Sequence, residues 1–183
     1  VLDGMRDRVP TVGLLDAAFE TADLLDDPDE PGLSDPHLWM DAARWSAIVP
    51  VIADAIAAQR PLCAPALAEA ADGLVAELLA LHDWVGAAIA SIPEGRRLLV
   101  TAHDAFGYFA DAYGMEASEA IEGISTAAEA SIGDILEVAD FIVENAVPAV
   151  FVETTVNPRT IEALVAEVRS RGHDVVIGGE LFS

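Results

Sequence analysis

Between Pro65 and Pro93 the chain has no proline, and Leu67, Leu74, Leu78, Leu81, Val85, Ile89 and Ile92 recur there at steps of three, four and seven. That spacing lines them up on one stripe of a helix of about 30 residues, ~45 Å long at 1.5 Å per residue. Few single layers need a helix of that length. It is therefore expected to run through more than one layer or lobe, although an ordinary long core helix carries the same pattern.

The rhythm changes after Pro93-Glu94-Gly95. Leu98–Ala102, Ala149–Val152 and Asp174–Gly178 read as buried strands. Helices alternate with them. One covers Ala105–Tyr113 and is closed by Gly114, and one carries the face Ile132, Ile135, Leu136, Ala139, Ile142 and Val143. A third buries Ile161, Leu164, Val165 and Val168, with Asn157 as N-cap, Pro158 in the first helical position and Gly172 just past the end. Strands alternating with helices predict a parallel sheet covered on both faces. Ahead of the long helix, Val9–Leu14 reads as a strand and 26–35 as an acidic surface loop. The carboxylates of that loop lack the glycine and the closing glutamate of a calcium loop. From Asp41 to Ala58 the spacing is helical, with Pro50 expected to kink or split it.

A chain of 183 residues, 53% apolar and 22% charged, has enough material for a real core as one domain or two small lobes. Its 32 acids against nine bases, all arginine, leave a net charge of −23. That excludes nucleic-acid binding and electrostatic docking on anionic lipid, and it favours cationic or neutral partners. The single cysteine, Cys63, excludes an internal disulfide and a thiolate cluster. No uninterrupted apolar run approaches the ~18–20 residues of a membrane span. Val1 opens in mid-stride without a methionine, which reads as the interior of a longer protein.

In open α/β sheets ligands bind beyond the carboxyl ends of the strands. His103, Glu153 and the corner Gly178-Gly179-Glu180 are expected there. Imidazole is a common nitrogen ligand for zinc and related metals. Pro36 biases Asp35 toward an extended conformation, which keeps His37 on a loop as the second candidate, whereas His82, mid-helix, and His173, in a turn, read as structural. The chain has no nucleophile elbow, phosphate loop or dinucleotide fingerprint.

Asp35-Pro-His-Leu-Trp39, the long helix, Leu98-Leu-Val-Thr-Ala-His-Asp-Ala-Phe-Gly-Tyr-Phe109, Gly123-Ile-Ser-Thr126, Val150-Phe-Val-Glu153 and Gly178-Gly-Glu-Leu-Phe-Ser183 occur in that order. Together they resemble the zinc/manganese-binding solute-binding proteins of bacterial ABC importers. The resemblance implies two parallel-sheet α/β lobes joined by a long rigid helix, the first lobe incomplete in this chain. It divides the chain into the end of the first lobe at 1–60, the connecting helix at 61–93, and most of the second lobe at 94–183. It implies His37 and His103 as metal ligands, with a further histidine upstream of Val1 and an aspartate after Ser183. Glu153 is a candidate for orienting a ligand from behind. Histidine at 103, where manganese-type members often have glutamate, tilts the metal toward Zn²⁺ over Mn²⁺.

The implied function is non-enzymatic capture of the ion outside the cytoplasmic membrane. A monomer, free or lipid-anchored, hands the ion to a membrane permease. Protonation of the imidazoles releases the metal, and the acidic surface concentrates cations only weakly at physiological salt. Two other readings stand beside it. One is a metal-dependent hydrolase or lyase with His103 on the metal and Glu153 as general base. The other is a structural or adhesion module that keeps the fold without the metal.

Overall fold

The computed structural model describes residues 10–28, 30–115, 117–122, 131–154 and 157–182. They form two compact units. One is drawn from Val1–Leu25 and Asp41–Trp84, the other from Asp26–Met40 and Val85–Ser183.

Among its described residues the first unit is helical. Residues 10–13 pair with no strand, and Leu14–Ala18 is a short helix, α1, in place of the expected strand. Among the described residues no strand pairs with the run, and Leu14–Ala18 instead packs as a turn of helix on α2, Ala42–Gln59. Asp41 caps α2 by accepting from the Ala43 amide at 2.9 Å. Its buried carboxylate also lies 3.4 Å from Nδ1 of His82, which ties the start of α2 to the long helix. Pro50 does not split α2: one helix runs through it. Its ring faces solvent, while the helix buries Ala42, Ser46, Ile48 and Val49.

The long helix α3 covers Ala64–Ala90, preceded by a 3₁₀ turn at Pro61–Cys63. Its stripe is only half covered: Leu67, Leu78, Val85 and Ile89 are half-buried, while Leu74 and Leu81 are exposed. Residues Pro61–Ala90 are also long and apolar enough, by length and composition, to cross a membrane. This corrects the reading from uninterrupted runs. Alanine and leucine outweigh Glu77 when averaged along the helix. Length and composition are weak grounds by themselves, because long helices of water-soluble proteins meet the same criterion.

The second unit is α/β. Its order is β1 (Leu98–His103), α4 (Gly107–Tyr113), β2 (Ala117–Glu122), α5 (Ile132–Glu144), β3 (Ala149–Glu153), α6 (Arg159–Ser170) and β4 (Val176–Leu181). β1 pairs with β2 in parallel, Leu98 opposite Ala117 through His103 opposite Glu122. β3 pairs with β4 in parallel, so the strands form two separate two-stranded sheets in place of the single parallel sheet expected, with β1 packed near β3. β1 is buried on both faces: Val100 and Ala102 enter the main core, and Leu99 enters a smaller cluster with Ala105 and Phe106. Ile161, Leu164, Val165 and Val168 of α6 are all buried, as their spacing predicts. Gly172 takes the left-handed conformation (φ 88°) that ends α6. His173 beside it is structural, its Nε2 2.8 Å from the Val147 carbonyl.

Several boundaries and one element differ from the sequence reading. β2 was not anticipated, because Ala117-Ser-Glu-Ala-Ile-Glu122 has one β-branched residue and reads as helix or loop. On α5 the buried face is Val138, Ala139 and Ile142, while Ile132 in the first turn and Leu136, one step off the stripe, stay exposed. The last strand starts at Val176 and not at Asp174, so Gly178-Gly179-Glu180 is part of a strand and not a corner after it. The register slips between Val150 and Phe151, pairing Phe151 with Gly179. A Cβ on Gly178 would stand 2.8 Å from Phe151 Cε1, so a side chain there requires the Phe151 ring to move.

Candidate metal site

His103 is the last residue of β1 and Glu153 the last of β3, each one place inside the strand end expected from sequence. Because the two strands run side by side, the Glu153 side chain reaches across to β1. Its Oε1 accepts from the amides of Ala102 at 2.8 Å and His103 at 3.0 Å. Its Oε2 lies 2.5 Å from His103 Nδ1, an ion-pair distance rather than a linear hydrogen bond. Both side chains are buried, with 4% of His103 and none of Glu153 exposed. Beyond His103 the chain turns sharply: its carbonyl accepts from Thr101 Oγ1 and from the Ala105 amide, both at 3.0 Å.

His37 arrives from a loop. Asp35 Oδ1 accepts from the His37 amide at 2.8 Å and also lies 2.8 Å from His37 Nδ1. The Asp35 carbonyl accepts from the Tyr108 hydroxyl at 3.1 Å, and Tyr108, on α4, has no exposed surface. Leu38, buried in the following 3₁₀ turn, is the apolar anchor of the same loop. Trp39 meets the His37 ring edge-on, centroids 5.3 Å apart.

The outcome of these two constructions is that the rings of His37 and His103, 66 positions apart by their numbers, stand with centroids 5.4 Å apart at 70°. In each, Nδ1 faces a carboxylate, so Nε2 is the nitrogen left to meet a ligand. Asp35 and Tyr108 were missed as parts of the site. The aspartate two residues ahead of His37 was the available signal. His82 and His173 hold other contacts, and Cys63 is exposed. Among the described residues no group of three or more His, Cys, Asp or Glu is placed to hold a metal ion. Gly123–Thr126 and Asp29 of the acidic loop lie outside the described residues.

Glu153 is poorly suited to act as a general base. One oxygen is committed to two backbone amides, the other faces His103, and the residue is buried. The hydrolase reading therefore loses the group it needs.

Two imidazoles brought together at the strand ends of a parallel α/β unit, each backed by a carboxylate, present nitrogen donors of the kind a metal site uses. The comparisons with known proteins agree. The family described as ZnuA, zinc-uptake complex component A, periplasmic, matches residues 4–182, and the chain belongs to it. It is 42% identical over 149 residues to the zinc-binding protein TroA of Treponema pallidum (strain Nichols), covering 81% of this chain and 48% of TroA. It is 38% identical over 149 residues to the manganese-binding lipoprotein MntA of Bacillus subtilis (strain 168), with the same coverage of 81% and 48%. The solved structure of the periplasmic zinc-binding protein TroA from Treponema pallidum superposes with a TM-score of 0.93 at 36% identity, covering 100% of this chain and 64% of that one. The α/β fold with its long helix is thus that of TroA. The chain spans about half the length of the curated relatives it matches.

Proposed function

We propose that this chain is the part of an extracytoplasmic carrier that holds Zn²⁺, or Mn²⁺, through His37 and His103 before delivery to the membrane permease of an ABC importer. The approach of the two rings supports the reading most directly. A metal ~2.0–2.1 Å from each nitrogen with a tetrahedral angle at the ion separates the two ring centres by roughly 5 Å. The observed separation is 5.4 Å. Two nitrogens do not complete a tetrahedral ion. The remaining positions belong to water or to groups outside the described residues.

The relatives support the cargo and the place: one is named zinc-binding, another manganese-binding, and the family is described as periplasmic. Two imidazoles suit zinc better than manganese. The proposed carrier is a monomer, and it works without turnover, in line with relatives named for binding rather than for a reaction.

Zinc titration by calorimetry tests the site. Saturable binding to this chain is expected, with loss in both His37→Ala and His103→Ala. Affinity unchanged in either variant removes that residue from the metal and refutes the shared site.

A further inference from the structure

A neutral imidazole carries its proton on one ring nitrogen, and only the other nitrogen can bind a cation. At His103 the surrounding groups decide which. Glu153 Oε1 is held by two β1 amides, Ala102 at 2.8 Å and His103 at 3.0 Å, so the carboxylate cannot turn away. Its Oε2 is left 2.5 Å from His103 Nδ1, so the carboxylate oxygen is the group this nitrogen faces. A carboxylate only accepts, so Nδ1 must carry the proton and Nε2 is bare. His37 receives weaker guidance of the same kind, because Asp35 reaches it from two residues away through one oxygen.

We propose that Glu153 is a positioning residue that fixes the tautomer of His103, keeping Nε2 as the metal-binding nitrogen. This rests on the reading of His103 as a metal ligand. It also makes a strong demand of a one-atom change. Glutamine has nearly the same shape, yet its two ends differ. Its oxygen must take the two β1 amides, since the opposite rotation turns an NH₂ toward two buried donors and leaves both without an acceptor. The NH₂ then faces His103 Nδ1, which must become the acceptor. The ring proton moves to Nε2 and the metal-binding lone pair is lost, with packing almost unchanged.

The test is long-range ¹H–¹⁵N correlation of the imidazoles in the ¹⁵N-labelled chain, recorded above the ordinary imidazole titration range. The Nδ1–H form of His103 is expected in the unaltered protein and the Nε2–H form in Glu153→Gln. Zinc affinity is expected to fall about 10–100-fold in that variant. An Nε2–H ring in the unaltered protein overturns the proposal, and that spectrum decides the matter even if the variant does not fold. An unchanged tautomer in folded Glu153→Gln also overturns it. A tautomer that inverts while zinc affinity stays the same supports the role of Glu153 and refutes His103 as a ligand. The two readings therefore fail separately.

Discussion

Replacing Tyr108 with phenylalanine separates the loop that carries His37 from the core that supports it. The hydroxyl donates to the Asp35 carbonyl at 3.1 Å, and neither residue has appreciable contact with solvent. Phenylalanine keeps the ring, so no cavity the size of a side chain is opened, and the change removes the hydroxyl's hydrogen bond to the Asp35 carbonyl. The buried Asp35 carbonyl then loses that donor. A buried acceptor left in that state costs about 1–3 kcal/mol. The lower half of that range is expected, because the carbonyl sits on a loop that can shift toward solvent. With a urea dependence of about 2 kcal/mol per molar, about 1–2 kcal/mol moves the unfolding midpoint down by roughly 0.5–1 M with an unchanged slope. Zinc binding to the chain is expected to weaken in parallel, because the same contact fixes the segment from which His37 projects. Calorimetric titration beside a urea series followed by tryptophan fluorescence reads both. A midpoint within 0.2 M of the unaltered protein refutes the account of how the loop is held. A lowered midpoint with full zinc affinity refutes the link from Tyr108 to His37.

Two further outcomes follow from local geometry. Gly178→Ala is expected to lower stability by about 1–3 kcal/mol, because its Cβ would stand 2.8 Å from Phe151 Cε1 and 3.1 Å from Cζ inside a paired strand; a thermal midpoint equal to that of the unaltered chain refutes this packing. The backbone amide of Ser131, and after it the Ser131 side chain, hold the exposed Asp134 carboxyl below the ordinary aspartate range within the capping box that starts α5. A carboxyl whose value is lower folded than unfolded adds stability that is present above the unfolded value and is lost as pH falls through the folded one. Amide protection in the first turn of α5 should therefore fail below the ordinary aspartate range, and Ser131→Ala should return the Asp134 titration only part of the way. Full return would show that the side chain, and not the amide, carries the shift.

How legible the fold was depends on how much each element owes to its own residues. α6 needed nothing else: four apolar residues at helical spacing between Asn157-Pro158 and Gly172 specify a stripe, a start and a stop. α6 begins at Arg159 with Pro158 in the cap position, one place later than expected, while Asn157 Oδ1 still accepts from the Arg159 amide at 3.2 Å. β1 and β3 were legible because strands buried on both sides are apolar along their length. β2 was not, because alanine, serine and glutamate become a strand there only by pairing with β1. Val9–Leu14 failed the opposite way: a β-prone composition without a neighbour to pair with gives no strand in the described residues. The end of β4 was misplaced because glycine ordinarily signals a turn, whereas Gly178 meets the ring of Phe151 within the ladder.

The two halves of the candidate site differ in the same respect. At His37 the carboxylate that turns the ring lies two residues away, so the whole unit of Asp35, Pro36 and His37 can be read from a pentapeptide. At His103 the corresponding carboxylate comes from another strand, 50 positions later by its number, and reaches the ring only because β3 lies beside β1. Nothing in the sequence around Glu153 says that its oxygen will be captured by the Ala102 and His103 amides. Those two hydrogen bonds take the place of strand-to-strand pairing at that point, and they set the direction in which the carboxylate faces the ring. Fold stability and ring orientation thus depend on the same two oxygens at this strand end. A substitution that keeps the shape of Glu153 and changes only which atoms accept is therefore the one able to alter the site without disturbing the sheet.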